Sequence, residues 1–199
     1  MSNPTLYYFD ARARAEVSRL LLAYTKTTFT DSRSPFPLPQ EVKDKTTFGQ
    51  LPYFEDANNQ LSQSIAIEQY IAELHNLAGS NPIERSQILQ FALFPGDLYQ
   101  PYFLAKDEAS NLKFKVETAP KLLARLEAIL IKAGGQHFVG DKITWADISI
   151  FNLIDFFHLQ HDNLVEAVQG FPTLLAFHKR IAAIPVFAEY LNNRVKTRL

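Results

Sequence analysis

The first third of the chain alternates short apolar segments with one segment of helical periodicity. Thr5–Phe9 is aromatic and β-branched, which predicts a strand, and residues 15–25 carry apolar side chains at helical spacing. Residues 28–33 alternate like a second strand. Three prolines then follow within five residues, and they predict a surface loop because proline fixes φ and lacks an N–H: Pro35, Pro37 and Pro39.

A second group of strands and one helix follow the proline loop. Tyr53–Glu55 and Gln60–Ser62 predict two strands joined by a turn at 56–59, where asparagine tolerates the positive φ of a tight hairpin. Ser64 is expected to cap a helix whose apolar spacing continues to Leu74. The predicted order is therefore β-α-β, a loop, and then β-β-α.

The remainder of the chain has the periodicity of amphipathic helices alone. We expect helices over about 83–108, 112–133, 145–161, 173–183 and 186–192. Gly79 suits the end of the preceding helix, and Pro82 suits the first turn of the next one. The predicted organisation is an α/β domain over 1–76, a linker over 77–82 and an all-helical domain over 83–199.

A proline and a four-residue motif mark helix boundaries within the helical segment. Pro120 should kink the second of these helices or mark its true start. The sequence Thr144-Trp145-Ala146-Asp147 is typical of a capping box with aspartate in place of the usual glutamate. We interpret this motif as a stabiliser of a helix start and not as a functional site.

Composition narrows the chemistry that the chain can perform. Its 199 residues include 20 basic and 21 acidic side chains, so charge gives no reason to expect nucleic acid or an anionic membrane as a partner. The absence of cysteine excludes a protein thiol nucleophile and a disulfide framework, so any thiol chemistry needs a thiol from a ligand. With no signal-peptide pattern and no apolar run near about 18 residues, we expect a cytoplasmic protein.

Five motifs occur in order along the chain. They are Tyr8-Phe9-x-x-Arg12-x-Arg14-Ala15-Glu16, Phe48-Gly49-Gln50-Leu51-Pro52, Gln63-Ser64-x-Ala66-Ile67, Val139-Gly140-Asp141-x-x-Thr144-x-Ala146-Asp147 and Ala183-Ile184-Pro185. With the order of elements, they make nearly the whole chain resemble the cytosolic glutathione transferases, especially the sigma class that includes the haematopoietic prostaglandin D synthase type. The resemblance implies a thioredoxin-like domain followed by an all-α domain, glutathione as co-substrate, no metal, and a homodimer.

The resemblance assigns catalysis to Tyr8 and Arg14. A tyrosine hydroxyl can donate a hydrogen bond to a bound thiolate and so lower the pKa of the thiol. A tyrosine in a strand more often only fills space, and a lone arginine is more often solvated, so the roles depend on the resemblance. Ala13 stands where the class usually has glycine, and a positive φ at this turn would add strain.

The resemblance also assigns contacts with glutathione. Gln63 and Ser64, at a helix start whose N–H groups attract anions, would hold the γ-glutamyl carboxylate. A cis peptide between Leu51 and Pro52 would let the Leu51 backbone pair with the cysteinyl part. The other assigned contacts are Lys43 with the glycine carboxylate, Gln50 with a carboxylate or backbone group, and Asp97 across a dimer interface. Pro39 replaces the usual tryptophan of the class, which predicts a lower glutathione affinity.

The second substrate and the reaction type are less constrained by the sequence. Tyr99, Tyr102 and Phe103 are candidates for a hydrophobic pocket, although aromatic residues at helical spacing are more often core. His158 and His161 have i, i+3 spacing beside Asp162 but lack further ligands, so we predict no metal site. The main interpretation is a transferase that conjugates glutathione to hydrophobic electrophiles. A glutathione-dependent isomerase and a non-catalytic structural or ligand-storage protein of the same fold stay open as alternatives.

Overall fold

The computed structural model describes residues 3–160 and 168–197, which form two compact units. One unit contains the described residues up to Asn76 together with those from Pro185 onward, and the other spans Leu77–Ile184. These units differ from the predicted segments in two places. Leu77, expected in a linker, accepts a hydrogen bond from the Trp145 N–H within the second unit. The carboxyl-terminal helix, expected in the all-helical domain, groups with the first unit.

The first unit is built on a four-stranded mixed sheet with the strand order β2-β1-β3-β4. The strands are β1 (Thr5–Phe9), β2 (Thr30–Ser34), β3 (Tyr53–Glu55) and β4 (Gln60–Ser62). β1 pairs parallel with β2 and antiparallel with β3, and β3 pairs antiparallel with β4. The predicted strand pattern is confirmed. Because side chains alternate along a strand, Leu6 and Tyr8 are buried on one face of β1 while Tyr7 points to the other.

Three helices belong to this sheet. A 3₁₀ turn at Ala13–Ala15 leads into α1 (Glu16–Tyr24), and α3 (Ser64–Leu74) follows β4, whereas α2 (Gln40–Lys45) comes between β2 and β3. Leu20 and Ile67 are among the fully buried apolar side chains of α1 and α3. The helix α2, which begins directly after Pro39, was not predicted from the apolar pattern of the sequence.

The second unit is helical in its described part. Its helices are α4 (Pro82–Leu93), α5 (Pro95–Leu104), α6 (Glu108–Lys113), α7 (Ala119–Lys132), α8 (Trp145–Gln160) and α9 (Pro172–Ala182). A π-helical stretch over Phe114–Thr118 joins α6 to α7. Across the described residues of both units, no helix is long and apolar enough to cross a membrane.

The expected single helix over 83–108 is two helices. Pro95 has no N–H to donate to the carbonyl of residue 91, so α4 ends at Leu93 and Pro95 occupies the first turn of α5. The expected helix over 112–133 begins earlier, because the Asp107 side chain caps α6. Pro120 lies in the first turn of α7, which confirms it as a helix start.

The motif over residues 144–147 starts α8. Both carboxylate oxygens of Asp147 accept hydrogen bonds, one from the Phe138 N–H at 3.0 Å and the other from the Thr144 N–H at 2.9 Å. The Thr144 hydroxyl donates to the same carboxylate at 3.1 Å. Trp145 next to it is fully buried. The structural interpretation of this motif is confirmed.

The last helix, α10 (Pro185–Asn193), packs on α1 within the first unit. The rings of Tyr24 and Phe187 stack, with their centroids 5.4 Å apart and their planes 12° from parallel. Tyr190 and Arg194 form hydrogen bonds with Glu16 at the start of α1. The helix is thus attached by both apolar and polar contacts to the element that follows the β1 turn.

Candidate active site

The hydroxyl of Tyr8 is a protonated donor in a mostly buried position. The Tyr8 side chain is 7% exposed, and its hydroxyl accepts a hydrogen bond from the Arg14 N–H at 3.4 Å. Burial raises the pKa of Tyr8, while the bond from Arg14 and the positive charges of Arg14 and Arg19 partly oppose this. Tyr8 therefore keeps its proton near neutral pH, and a hydroxyl that accepts one hydrogen bond can still donate one.

The turn between β1 and α1 brings Arg14 to Tyr8. Ala13, directly before Arg14, has a φ of +31°, so the turn does use the positive φ for which glycine is usual. The 3₁₀ turn that begins there directs the Arg14 N–H towards the Tyr8 hydroxyl. The Arg14 side chain itself is exposed. Its neighbouring positive charge still favours an anion beside Tyr8.

Sequence reasoning missed Arg19, which holds this turn. Its side chain is 1% exposed, and its Nη1 atom donates to the backbone oxygens of Ala11 at 2.9 Å and Arg12 at 3.4 Å. Its Nε atom donates to Asp31 on β2 at 3.0 Å. The guanidinium carbon lies 5.9 Å from the centroid of the Tyr8 ring. An arginine on the apolar stripe of an amphipathic helix was the signal that could have identified it.

A second group of predicted residues lies around the strands β3 and β4. The peptide between Leu51 and Pro52, just before β3, is cis, as the resemblance implied. After β4, Gln63 has a φ of +76°, and α3 begins at the next residue, Ser64. The expected capping role of Ser64 is therefore wrong, because Gln63 occupies the N-cap position and makes no side-chain capping bond.

The amino end of α3 presents hydrogen-bond donors. The Ile67 N–H donates to the Gln63 carbonyl, so the N–H groups before Ile67 precede the regular bonding pattern of the helix. Ser64, half-buried, carries its hydroxyl at the first helical position. Backbone N–H groups and the positive end of the helix dipole make this position suitable for a carboxylate.

Two of the proposed glutathione contacts lie on exposed segments. Lys43 is exposed on α2, and Gln50 is exposed in the loop before the cis peptide. The nearby Lys45, which the sequence analysis did not select, has fixed partners. Its Nζ atom donates to the Tyr7 hydroxyl and to Glu55, each at 2.7 Å. This cluster belongs to the face of β1 opposite Tyr8.

The remaining candidates lie on α5 in the second unit. Asp97 is exposed in the first turn of this helix. Tyr99 and Tyr102 are half-buried, with ring centroids 5.1 Å and 5.7 Å from that of Phe156 on α8. Phe103 is 45% exposed. Core packing thus accounts for the inner faces of both tyrosines, while Phe103 offers an apolar surface to solvent.

A metal site has no support in the described residues. His158, His161 and Asp162 lie outside the side chains that the structure describes. Among those it does describe, no group of three or more histidine, cysteine, aspartate or glutamate side chains could hold a metal ion.

Comparison with known proteins gives the family. Residues 4–73 match the family "Glutathione S-transferase, N-terminal domain" and residues 97–194 match "Glutathione S-transferase, C-terminal domain". The chain is 34% identical over 194 residues to Glutathione S-transferase P of Caenorhabditis elegans, covering 95% of this chain and 92% of that protein. It is 31% identical over 206 residues to the hematopoietic prostaglandin D synthase of Gallus gallus, covering all of both chains. The solved Pi-class glutathione S-transferase of Onchocerca volvulus has a TM-score of 0.87 at 30% identity, covering 97% of this chain and 94% of that one. The chain therefore belongs to the glutathione S-transferase family.

Proposed function

We propose that this chain is a glutathione transferase in which Tyr8 stabilises the thiolate of bound glutathione for attack on a hydrophobic electrophile. The observation that carries the assignment is the Tyr8 hydroxyl, which is protonated, mostly buried and oriented by the Arg14 N–H at 3.4 Å. The chain contains no cysteine, so glutathione supplies the only thiol in the reaction.

Ionisation of the glutathione thiol is the step that the protein must favour. A free thiol has a pKa near ~8.5, so only a few per cent is ionised at neutral pH. A hydrogen bond from Tyr8 and the nearby charges of Arg14 and Arg19 favour the ionised form. Lowering the thiol pKa by about two units corresponds to about 2.7 kcal/mol and leaves most of the bound thiol ionised. The sulfur then forms a bond to the electrophilic carbon, and the leaving group departs with its electron pair.

The binding assignment follows the shape of glutathione. The γ-glutamyl carboxylate lies at the amino end of α3, where Gln63 and Ser64 bind it together with the backbone N–H groups. The cysteinyl part pairs with the Leu51 backbone, before Pro52, as an added strand. Lys43 and Gln50 bind the glycine end, and Asp97 of the partner subunit in a homodimer binds the amino group. Pro39, in place of the usual tryptophan, lowers affinity at the glycine end.

Tyr99, Tyr102 and Phe103 form the apolar surface for the electrophile. The sequence around Tyr8 and Arg14 supports the sigma class. A cytoplasmic location and a homodimer are typical of that class, and we propose both for this chain. Relatives of this chain carry both Pi-class and prostaglandin D synthase names.

An isomerase is the second candidate, favoured by the 31% identity to a prostaglandin D synthase over the whole chain. The same thiolate would then attack an oxygen of a lipid endoperoxide. In that case the glutathione-binding residues and Tyr8 keep the roles given above, and only the second substrate and the bond that breaks differ.

The test is glutathione conjugation to a chloronitrobenzene electrophile by the wild type, Tyr8→Phe and Tyr7→Phe. Tyr7 is a matched control because it neighbours Tyr8 on β1, and its hydroxyl donates to Glu55 at 2.6 Å on the opposite face. We expect turnover by the wild type and by Tyr7→Phe, and at least about a tenfold loss of kcat/KM in Tyr8→Phe near neutral pH.

Two other outcomes would change the assignment. Glutathione binding without conjugation, combined with rearrangement of a prostaglandin endoperoxide, would replace the transferase with the isomerase. Failure of the wild type to bind a glutathione resin would contradict both enzymatic functions and favour the structural or ligand-storage alternative.

A further inference from the structure

The carboxylate of Glu16 joins the last helix to the first turn of α1. Its side chain is 2% exposed. One of its oxygens accepts hydrogen bonds from the Tyr190 hydroxyl and from Arg194 Nη1, each at 3.1 Å. The other oxygen accepts one from Arg19 Nη1 at 3.3 Å. Two donors from the carboxyl-terminal segment therefore share a buried carboxylate with Arg19, the residue that holds the turn beside Tyr8.

Arg19 extends these contacts to the backbone of the turn. The same Nη1 atom that donates to Glu16 also donates to the carbonyl oxygens of Ala11 and Arg12. These carbonyls directly precede Ala13, whose positive φ sets the direction of the Arg14 N–H. A shift of the Arg19 Nη1 atom would therefore also shift the backbone of Ala11 and Arg12, which leads into the turn that orients the Arg14 N–H.

The other side of the Arg19 guanidinium is fixed independently. Asp31 on β2 accepts a hydrogen bond from Arg19 Nε at 3.0 Å and also pairs with Arg33 Nη2 at 2.8 Å. Arg33 pairs in turn with Asp10 at 2.9 Å. The strand side of Arg19 thus has its own support, so the Glu16 side is the part of its environment that depends on the last helix.

We propose that Tyr190 and Arg194 are positioning residues for Tyr8, acting through Glu16 and Arg19 on the turn that presents the Arg14 N–H. The inference rests on the proposed function and adds the carboxyl-terminal segment to the machinery of the same site. The donor and acceptor of the Arg14–Tyr8 bond are 3.4 Å apart, close to the limit for a hydrogen bond. A small displacement of the turn therefore removes this bond and weakens Tyr8 as a donor to the thiolate.

The two residues contribute differently to the Glu16 site. Burial and the charge of Glu16 raise the pKa of Tyr190 well above its ordinary value, so its hydroxyl is a donor at every working pH. Tyr190→Phe deletes this one hydrogen bond and changes no charge. Arg194→Gln also removes a positive charge that faces Glu16, so the phenylalanine variant is the sharper of the two tests.

The experiment is the pH profile of kcat/KM for conjugation, measured on the full-length protein. In Tyr190→Phe and Arg194→Gln, we expect the midpoint of the acid limb to move up by about 0.5 pH unit, which is a loss of about threefold below the midpoint and none well above it. Arg194→Lys, which retains the charge, should recover part of the Arg194→Gln shift. Direct titration of the bound thiol by its thiolate absorbance should give the same shifts.

Two control variants separate positioning from stability. Phe187→Leu disturbs the stack with Tyr24 and should lower the melting temperature, and it removes none of the hydrogen-bond donors to Glu16. Glu189→Gln changes an exposed charge on the same helix. Neither should move the midpoint. Variants of Tyr190 and Arg194 that melt earlier but keep the wild-type midpoint would overturn the inference. If the thiol of glutathione bound to the wild-type protein instead titrates at the pH of free glutathione, both the proposed function and this inference are overturned.

Discussion

Replacing Asp147 with alanine should destabilise the protein more than any substitution at an exposed helix start. The Asp147 side chain is 0% exposed. Its carboxylate accepts the N–H groups of Phe138 and Thr144 and the Thr144 hydroxyl, at distances of 2.9 to 3.1 Å. Alanine would leave these buried donors without their acceptor.

The expected loss of stability in Asp147→Ala is the cost of the lost hydrogen bonds minus the cost of burying the carboxylate. A hydrogen bond to a charged group contributes about 1.5–3 kcal/mol, and a buried donor without a partner costs about 1–3 kcal/mol. Burying the carboxylate offsets part of this and raises the pKa of Asp147, although the three donors oppose the rise. We expect a net loss of about 3 kcal/mol, equivalent to about 6–12 °C in Tm for a chain of this length.

The assay is chemical and thermal unfolding of the wild type, Asp147→Ala and Asp147→Asn across pH. Asparagine keeps the shape and one acceptor, so it should cost less than alanine. Because the pKa of Asp147 is raised on folding, its contribution to stability is complete below about pH 4, the unfolded pKa, and falls as pH rises through the folded pKa. The difference in unfolding free energy between the wild type and Asp147→Ala should therefore shrink as pH rises. His137, 3.7 Å away, is the neighbouring titratable group, and a His137→Gln background removes its effect.

Two results would refute this reasoning. A loss of less than about 2 °C in Tm for Asp147→Ala would mean that the hydrogen bonds do not stabilise the start of α8. If the difference in unfolding free energy between the wild type and Asp147→Ala grows as pH rises, the three donors outweigh burial and the pKa of Asp147 is lowered.

Three further predictions concern helix starts and the β1 turn. Ser64→Ala should weaken glutathione binding about tenfold by calorimetry and leave Tm nearly unchanged, because Ser64 is not the N-cap of α3; a large fall in Tm with normal binding would reverse the assignment. Asn81→Ala should lower the unfolding free energy by about 1 kcal/mol, because Asn81 caps α4 by accepting the Glu84 N–H at 3.0 Å, with glutathione binding unchanged. Ala13→Gly should stay within about 1 kcal/mol of the wild type, since relief of the positive φ is offset by the greater freedom of the unfolded chain; denaturant unfolding measures this, and a large loss would count against strain at the turn.

The sequence predicts elements with a strong apolar pattern and misses those without one. All four strands and the helices α1 and α3 were expected, because alternation or helical spacing marks their buried side chains. The helix α2 has no buried residue, so the pattern that reveals the other helices is absent from it. The break before Pro95 was missed because the helical pattern continues on both sides, and a proline is tolerated in a first turn.

The candidate site was predictable only where its residues are adjacent in sequence to a recognisable motif. Tyr8, Arg14, Gln63 and Ser64 lie in short motifs, and the resemblance of those motifs to the glutathione transferases, not their spacing alone, selected them. The contacts of Glu16 were not predictable, because its partners Tyr190 and Arg194 are 174 and 178 residues away. Periodicity does not identify which charged side chain on a buried stripe has a distant partner.

The most direct test of the account is the ionisation of glutathione in the complex. Ultraviolet absorbance of the thiolate, titrated across pH with the wild type, Tyr8→Phe and Tyr7→Phe, reports the pKa of the bound thiol. We predict a value about two units below that of the free thiol for the wild type and for Tyr7→Phe, and a value near the free one for Tyr8→Phe. A wild-type value equal to that of the free thiol, or equal values in the wild type and Tyr8→Phe, would contradict the assignment of Tyr8 as the group that stabilises the thiolate.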